Sequence, residues 1–332
     1  MTSTAGPHSR RQHWPVLKRF LSRLYLGVVV GLIALLAWHL DWTAVRAAIA
    51  DLTLPVMLAA TALAAASHLA YSLFDLIGRR YTGHPLPTGR VMAITFVSYV
   101  GTLNLGALIG AIGLRQRLYA HHGLSLSAMA QVFAVSIVTN WLGYLLLLGA
   151  VFAGPTYTRL REAVTGNDLA NETLVIGLPS WPTPAWGSML GVAALGIVCF
   201  YHLLCLWRSG ATIQWRAAQF RTPDITLALS QTALSATSWL VNAGIIFVLL
   251  AGEVSFDRVL LASLVAAFIG LVTHIPAGVG VLEATFIVLL AGLVPVETII
   301  ATLLAYRFLF YLAPIPLAGL LWWRLEQPFR ET

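Results

Sequence analysis

The stretch Gly101–Gly123, GTLNLGALIGAIGLRQRLYAHHG, decides how the chain folds, because Gly270–Gly292, GLVTHIPAGVGVLEATFIVLLAG, repeats its plan. Each stretch begins inside an apolar segment and is broken by glycine and small residues. Each sets ionised side chains just past a glycine: Arg115 and Arg117 after Gly113, Glu283 after Gly280. Each then resumes as an apolar run and meets a Gly-Leu pair, Gly123-Leu124 or Gly292-Leu293. A longer helix follows with a polar mid-point, Thr139-Asn140 in the first copy and Tyr306-Arg307 in the second. Ionised groups beside interrupted helix are expensive inside a membrane, so their presence there points to function.

Composition places the chain in a membrane. Of 332 residues, 58% are hydrophobic and 10% charged, where a soluble domain carries about 25% charged residues. The net charge of +7 is almost all arginine; Lys18 is the only lysine. These charges sit at the N-terminus and in short loops, which suits anionic lipid headgroups and argues against nucleic acid. Cys199 and Cys205 fall in one apolar segment, off a common helix face, and read as buried thiols.

Residues 1–23 form a basic tail. Leu24–Leu40 reads as an uncleaved first helix, since an aromatic pattern, Trp38-His39-Leu40-Asp41-Trp42, stands where a cleavage site would be. Further full-length segments are Leu54–Ile77, Leu126–Ala153, Trp186–Trp207, Ile225–Ala251 and Thr298–Trp323. Val91–Leu105 with Gly106–Tyr119, and Val259–His274 with Val279–Leu293, are pairs too short to cross a hydrocarbon core that needs about 20 helical residues. They read as two re-entrant helical hairpins.

The positive-inside rule orients the chain. Arg79, Arg80 and Arg90, then Arg208, Arg216 and Arg221, mark cytoplasmic loops; the loop 154–185, with Glu162, Asp168 and Glu172, is exported. Both termini fall in the cytoplasm. The expected fold is therefore an all-α polytopic membrane protein with an inverted-topology repeat and about six crossings, or eight to nine spans by hydropathy alone. Its parts are two N-terminal helices (24–90), repeat A (91–153), the exported loop (154–185), two linking helices (186–258), repeat B (259–324) and a cytoplasmic tail (325–332). Such repeats in secondary transporters place the substrate site where the copies meet.

At these residues the chain resembles the lysylphosphatidylglycerol synthase transmembrane-region family, related to the flippase half of the multiple peptide resistance factor. The resemblance rests on Gly113-Leu114-Arg115-Gln116-Arg117-Leu118-Tyr119 with Gly123-Leu124-Ser125. It rests equally on Pro276-Ala277-Gly278-Val279-Gly280-Val281-Leu282-Glu283 with Tyr306-Arg307-Phe308 and Pro314. It implies a lipid-handling domain of the bacterial inner membrane, and not synthase activity, since no soluble transferase domain follows in this sequence.

The candidate site residues are Arg115, Arg117, Glu283, Arg307, Asn140 and His274, with backbone breaks at Gly110, Gly113, Pro276, Gly278 and Gly280. Guanidinium groups suit phosphate because they offer paired donors and a permanent charge. Residues two apart point to different helix faces, so at most one of the two faces the site, and Arg115 is preferred because it lies closer to the glycine break; snorkelling to the interface is the alternative for both. Glu283, in the first turn of a half-helix, is stabilised by the helix dipole. It can pair with Arg115 or Arg307, bind a proton or meet a cationic headgroup; the alternative is a fixed ion pair that clips the two hairpins together. Arg307 lies too deep in its segment to snorkel. Asn140 suits a ligand or a helix–helix hydrogen bond equally, and His274 a turn cap. His121-His122 has no third ligand at metal spacing. No HExxH, Walker A or GxSxG pattern occurs, so neither cofactor nor metal is expected. The expected function is a lipid transporter or flippase for an anionic phospholipid or polyprenyl-phosphate headgroup. The alternatives are a lipid-modifying enzyme subunit and a scaffold for a lipid-synthesising partner; neither the lipid nor the oligomeric state follows from the sequence.

Overall fold

The computed structural model describes residues 41–154, 184–215, 218–273, 278–290 and 292–327. Leu24–Leu40, nearly all of the 154–185 loop, His274 and Pro276 lie outside the described residues.

The carboxylate of Asp41 accepts from the N–H groups of Thr43 and Ala44 and opens α1 (Trp42–Ala50). Helices α2 (Leu54–Ser72) and α3 (Phe74–Thr82) follow nearly end to end, joined at Leu73. Helix α4 (Thr88–Leu105) stops at Gly106, whose φ of 86° ends the helical run. The chain re-enters helix as a π-helical turn, Leu108–Leu114, that runs straight into α5 (Arg115–His121). Ser125 caps α6 (Leu126–Ala153), and α7 is Pro184–Trp207. A short antiparallel hairpin follows, β1 (Thr212–Trp215) with β2 (Ala218–Arg221), tied to α3 by the Arg221 N–H donating to the Tyr81 hydroxyl at 2.7 Å. Asp224 caps α8 (Ile225–Leu249). Then come α9 (Phe256–Thr273), α10 (Val281–Leu290) and α11 (Val296–Arg307), a second π-helical turn (Phe308–Leu312), and α12 (Ile315–Glu326).

Six stretches among the described residues are long and apolar enough to cross a membrane: Leu54–Thr82, Leu126–Ala153, Trp186–Trp207, Ile225–Leu249, Phe256–Thr273 and Val296–Glu326. Five of them match segments read from the sequence as crossings. The sixth, Phe256–Thr273, starts three residues before the limb expected to be re-entrant and reaches spanning length by itself.

Helix α8 is the hub, packed against α2, α6, α7, α9 and α11. The main core gathers around it, with Ile245, Ile246 and Leu249 of α8 joining Leu261, Phe286 and Leu303. In hydrocarbon, helix association depends on close packing of small residues. Gly143 of α6 meets Ser235 and Ala236 of α8, and Gly149 meets Gly191 of α7. Helix α7 turns Trp186, Phe200 and Trp207 outward. That outward face also carries Cys199, so only Cys205 is the buried thiol expected from the sequence.

Each short pair packs limb against limb, α4 on the first π turn and α9 on α10. The first contact is closed by glycine: a Cβ at Gly110 would collide with the backbone of Gly101 and Thr102. Gly113 has only the Leu108 carbonyl in reach, at 3.4 Å, and makes no comparable wedge.

Candidate functional site

A cavity of about 340 Å³ opens among α2, α4, α6, α8, α9 and α11. Its wall is aromatic and neutral: Tyr71, Tyr99, Trp239, Tyr306, Phe310 and Tyr311. Polar points come from Thr102, Asn140, Ser238, Asn242 and Ser263. Tyr71 and Tyr99 stack with centroids 3.6 Å apart, and Tyr306 lies on Phe310 at 5.3 Å. The Asn242 amide donates to the Tyr306 hydroxyl at 3.1 Å. The backbone carbonyl of Asn140 accepts from the Ser235 hydroxyl at 2.9 Å. Its chain neighbour, Thr139, is fully buried and accepts from the Gln231 side-chain amide at 3.0 Å. The first serves the cavity, the second the α6–α8 contact.

Beside this cavity Arg307 of α11 and Glu283 of α10 form a closed ion pair. Arg307 Nε donates to Glu283 Oε1 at 2.6 Å and Arg307 Nη2 donates to Oε2 at 3.1 Å. Arg307 Nη2 also reaches the carbonyl of Gly278 at 3.1 Å, and the Gly280 N–H donates to Glu283 Oε2 at 2.8 Å. Gly278 and Gly280 take φ of 57° and 82°, a conformation glycine adopts without penalty. This unwound entry to α10 turns a carbonyl toward the guanidinium and an N–H toward the carboxylate. Gly278 also lines the cavity, so the pair and the cavity share a wall. The pair is only 15% and 13% exposed at its two side chains.

Arg115, at the start of α5, lies elsewhere. Arg115 Nε lies 3.5 Å from Asp75 Oδ2, with side-chain exposures of 5% and 0%. The Tyr119 hydroxyl donates to the same carboxylate oxygen at 2.8 Å. The guanidinium sits over the Phe133 ring at 5.5 Å. Tyr71, which lines the cavity, is an electrostatic neighbour of both Arg115 and Asp75. Thus Arg115, Glu283 and Arg307 do not meet in one cluster. Glu283 takes Arg307, and Arg115 takes a carboxylate from α3. Asp75 was missed, although its signal was present: a lone acid in the otherwise uncharged run Leu54–Ile77.

Arg117 faces away, 63% exposed, and pairs with Glu326 at 2.7 Å near Trp322. His84, in the loop after α3, is buried edge-on to Tyr119 at 6.2 Å. Burial holds its pKa below the ordinary histidine range and Arg79 pushes it further down.

Both arginines abut π-helical turns, a feature that no sequence pattern announced. Leu108–Leu114 ends directly before Arg115, and Phe308–Leu312 begins directly after Arg307. Such turns leave carbonyls off the α-helical ladder. Side chains meet two of them: His68 Nε2 lies 3.0 Å from the Phe310 carbonyl, and Asn104 Nδ2 donates to the Tyr311 carbonyl at 3.0 Å.

The family model described as lysylphosphatidylglycerol synthase TM region matches residues 23–318. The chain is 35% identical over 321 residues to inner membrane protein YbhN of Escherichia coli K12, covering 96% of this chain and 95% of that protein. It is 27% identical over 290 residues to protein slr0712 of Synechocystis, covering 85% and 83%. It is also 25% identical over 271 residues to phosphatidylglycerol lysyltransferase of Staphylococcus aureus, covering 77% of this chain and 28% of that protein.

Proposed function

The chain belongs to the lysylphosphatidylglycerol synthase TM region family, and from that premise we propose that it carries a phospholipid between membrane leaflets. The headgroup enters the cavity bounded by Tyr71, Asn140, Asn242 and Tyr306 while the acyl chains stay in lipid. The observation that carries this reading is the setting of the cavity. A pocket with hydrogen-bonding walls, in a bundle of membrane-length helices, shares a wall with the Arg307–Glu283 pair, and its Tyr71 neighbours the buried Arg115. Its volume falls at the lower end of small-molecule sites, roughly 300–1,000 Å³, and suits a headgroup rather than a whole lipid.

In this reading Arg307 and Arg115 receive the phosphate, since guanidinium binds phosphate oxygens through paired donors. Glu283 holds Arg307 in place when no lipid is bound. The relative's name, phosphatidylglycerol lysyltransferase, makes phosphatidylglycerol the first lipid to try. The two short pairs act as re-entrant hairpins of an inverted repeat, both termini lie in the cytoplasm, and access alternates as one repeat moves on the other.

The test is movement of fluorescent phosphatidylglycerol between leaflets of vesicles containing the purified chain. Transport should stop with Arg307→Gln or Arg115→Gln in protein that remains folded by circular dichroism. Undiminished transport in both variants sinks the reading. A second reading follows from the match to part of an enzyme: a membrane subunit that supports a lipid-modifying partner. Under it, both variants would still co-purify with that partner and sustain its activity.

A further inference from the structure

The buried Arg115 and the half-buried Arg307 differ in how well they are held. Arg307 and Glu283 share a bidentate fork, with Gly278 and Gly280 taking further valences. Arg115 and Asp75 share one 3.5 Å approach that forms no hydrogen bond. Asp75 Oδ1 and Arg115 Nε lack a hydrogen-bond partner among the described residues, and so do both ring nitrogens of His84. All three residues are more than nine-tenths buried. Burying a charge pair is tolerable when its remaining valences are satisfied; leaving them open is costly. A pair built only for stability would resemble the Arg307 fork.

The open valences lie together. Tyr119 touches Asp75 through its hydroxyl and His84 through its ring edge. The charged and titratable groups that act on Asp75 are Tyr71 from α2, His84 from the following loop, and Arg115 and Tyr119 from α5. Arg115 is the closest positive charge. A phosphate that joined Arg115 would cancel that charge and leave a carboxylate beside an anion in a buried site. Proton uptake resolves this conflict. His84, in the loop after α3, stands edge-on to Tyr119, whose hydroxyl donates to Asp75.

We propose that Asp75 and Arg115 form a proton-for-phosphate exchange site. Asp75 accepts one proton from water and becomes a neutral acid. Arg115 then exchanges the Asp75 oxygen for a phosphate oxygen of a phospholipid headgroup. No covalent bond other than the O–H forms. The proposal rests on the lipid-handling reading above and adds to it a proton that accompanies the headgroup.

The experiment uses the full chain in phosphatidylcholine vesicles, with two independent readouts. Infrared difference spectra between neutral and acidic buffer report a protonated carboxyl group directly. The wild type should show a carboxylic-acid band that Asp75→Asn lacks. The second readout is binding of short-chain phosphatidylglycerol and of inorganic phosphate. Phosphatidylglycerol should bind more tightly in acid, on the order of tenfold per pH unit for one linked proton. Asp75→Asn should bind equally at both pH values, and Asp75→Glu should restore the dependence. A band that persists in Asp75→Asn overturns the proposal, as does pH dependence that persists there. Wild-type binding of phosphatidylglycerol that ignores pH overturns the exchange but leaves the lipid reading intact. The Asp75 band without binding of either probe overturns both. Inorganic phosphate binding with the same pH dependence and equal strength would assign the exchange to free phosphate instead of a headgroup.

Discussion

Arg307 and Glu283, 24 positions apart in the chain, lock as a bidentate pair at 2.6 and 3.1 Å, with Gly280 donating to the same carboxylate. The contact ties the end of α11 to the first turn of α10 across the wall of the cavity. The free helix N-terminus orients the carboxylate, and the carboxylate orients the guanidinium.

Removing one partner should cost more than removing both. Arg307→Ala strands a half-buried carboxylate, at a cost approaching the roughly 3–5 kcal/mol of a fully buried one. The double variant Arg307→Met with Glu283→Gln should recover most of that stability while still failing to move lipid. Denaturation in detergent measures the first and the vesicle assay the second. Arg307→Ala within about 1 kcal/mol of wild type would contradict the closed pair.

Arg115 and Arg117 should behave differently despite standing two residues apart. Arg117→Gln removes an exposed pair worth about 0–1 kcal/mol and should leave lipid movement unchanged. Arg115→Gln leaves Asp75 buried without its cation and should abolish movement. Equal effects in the two variants would refute the assignment of Arg115 to the site.

Filling the cavity should block transport without touching either ion pair. Ala267 lines the cavity from α9, and Ala267→Trp places an indole there. The expected result is a folded protein with little lipid movement, at an overpacking cost of roughly 1–3 kcal/mol. Normal transport through the filled cavity would move the lipid path elsewhere.

Asp224 should stabilise α8 in a pH-dependent way. Its carboxylate accepts from the Leu227 N–H at 2.7 Å, which holds its pKa below the usual carboxylate range. A carboxylate lowered in this way stabilises above the ordinary carboxylate pKa and loses that contribution as pH falls through its own lowered value. Asp224→Ala should lower stability near neutral pH by about 1 kcal/mol. The difference from wild type should shrink in acid; a difference that grows would reverse the assignment.

The sequence by itself determined the membrane class and five of the six membrane-length stretches among the described residues, and it singled out both glycine-broken segments. Long apolar runs and short charged loops are local signals, and within one apolar segment only a helix satisfies every backbone polar group in hydrocarbon. It also marked Arg115, Glu283 and Arg307, because ionised groups stand out against such runs. Only the tertiary structure decided who pairs with whom. Asp75 reaches Arg115 from 40 residues earlier, on a helix outside both repeats. The π turns beside each arginine arise from packing, with His68 and Asn104 meeting carbonyls of the second across helices. The cavity wall likewise gathers side chains from helices far apart in sequence. Partner choice depends on distances between helices, and periodicity along one helix holds no record of them.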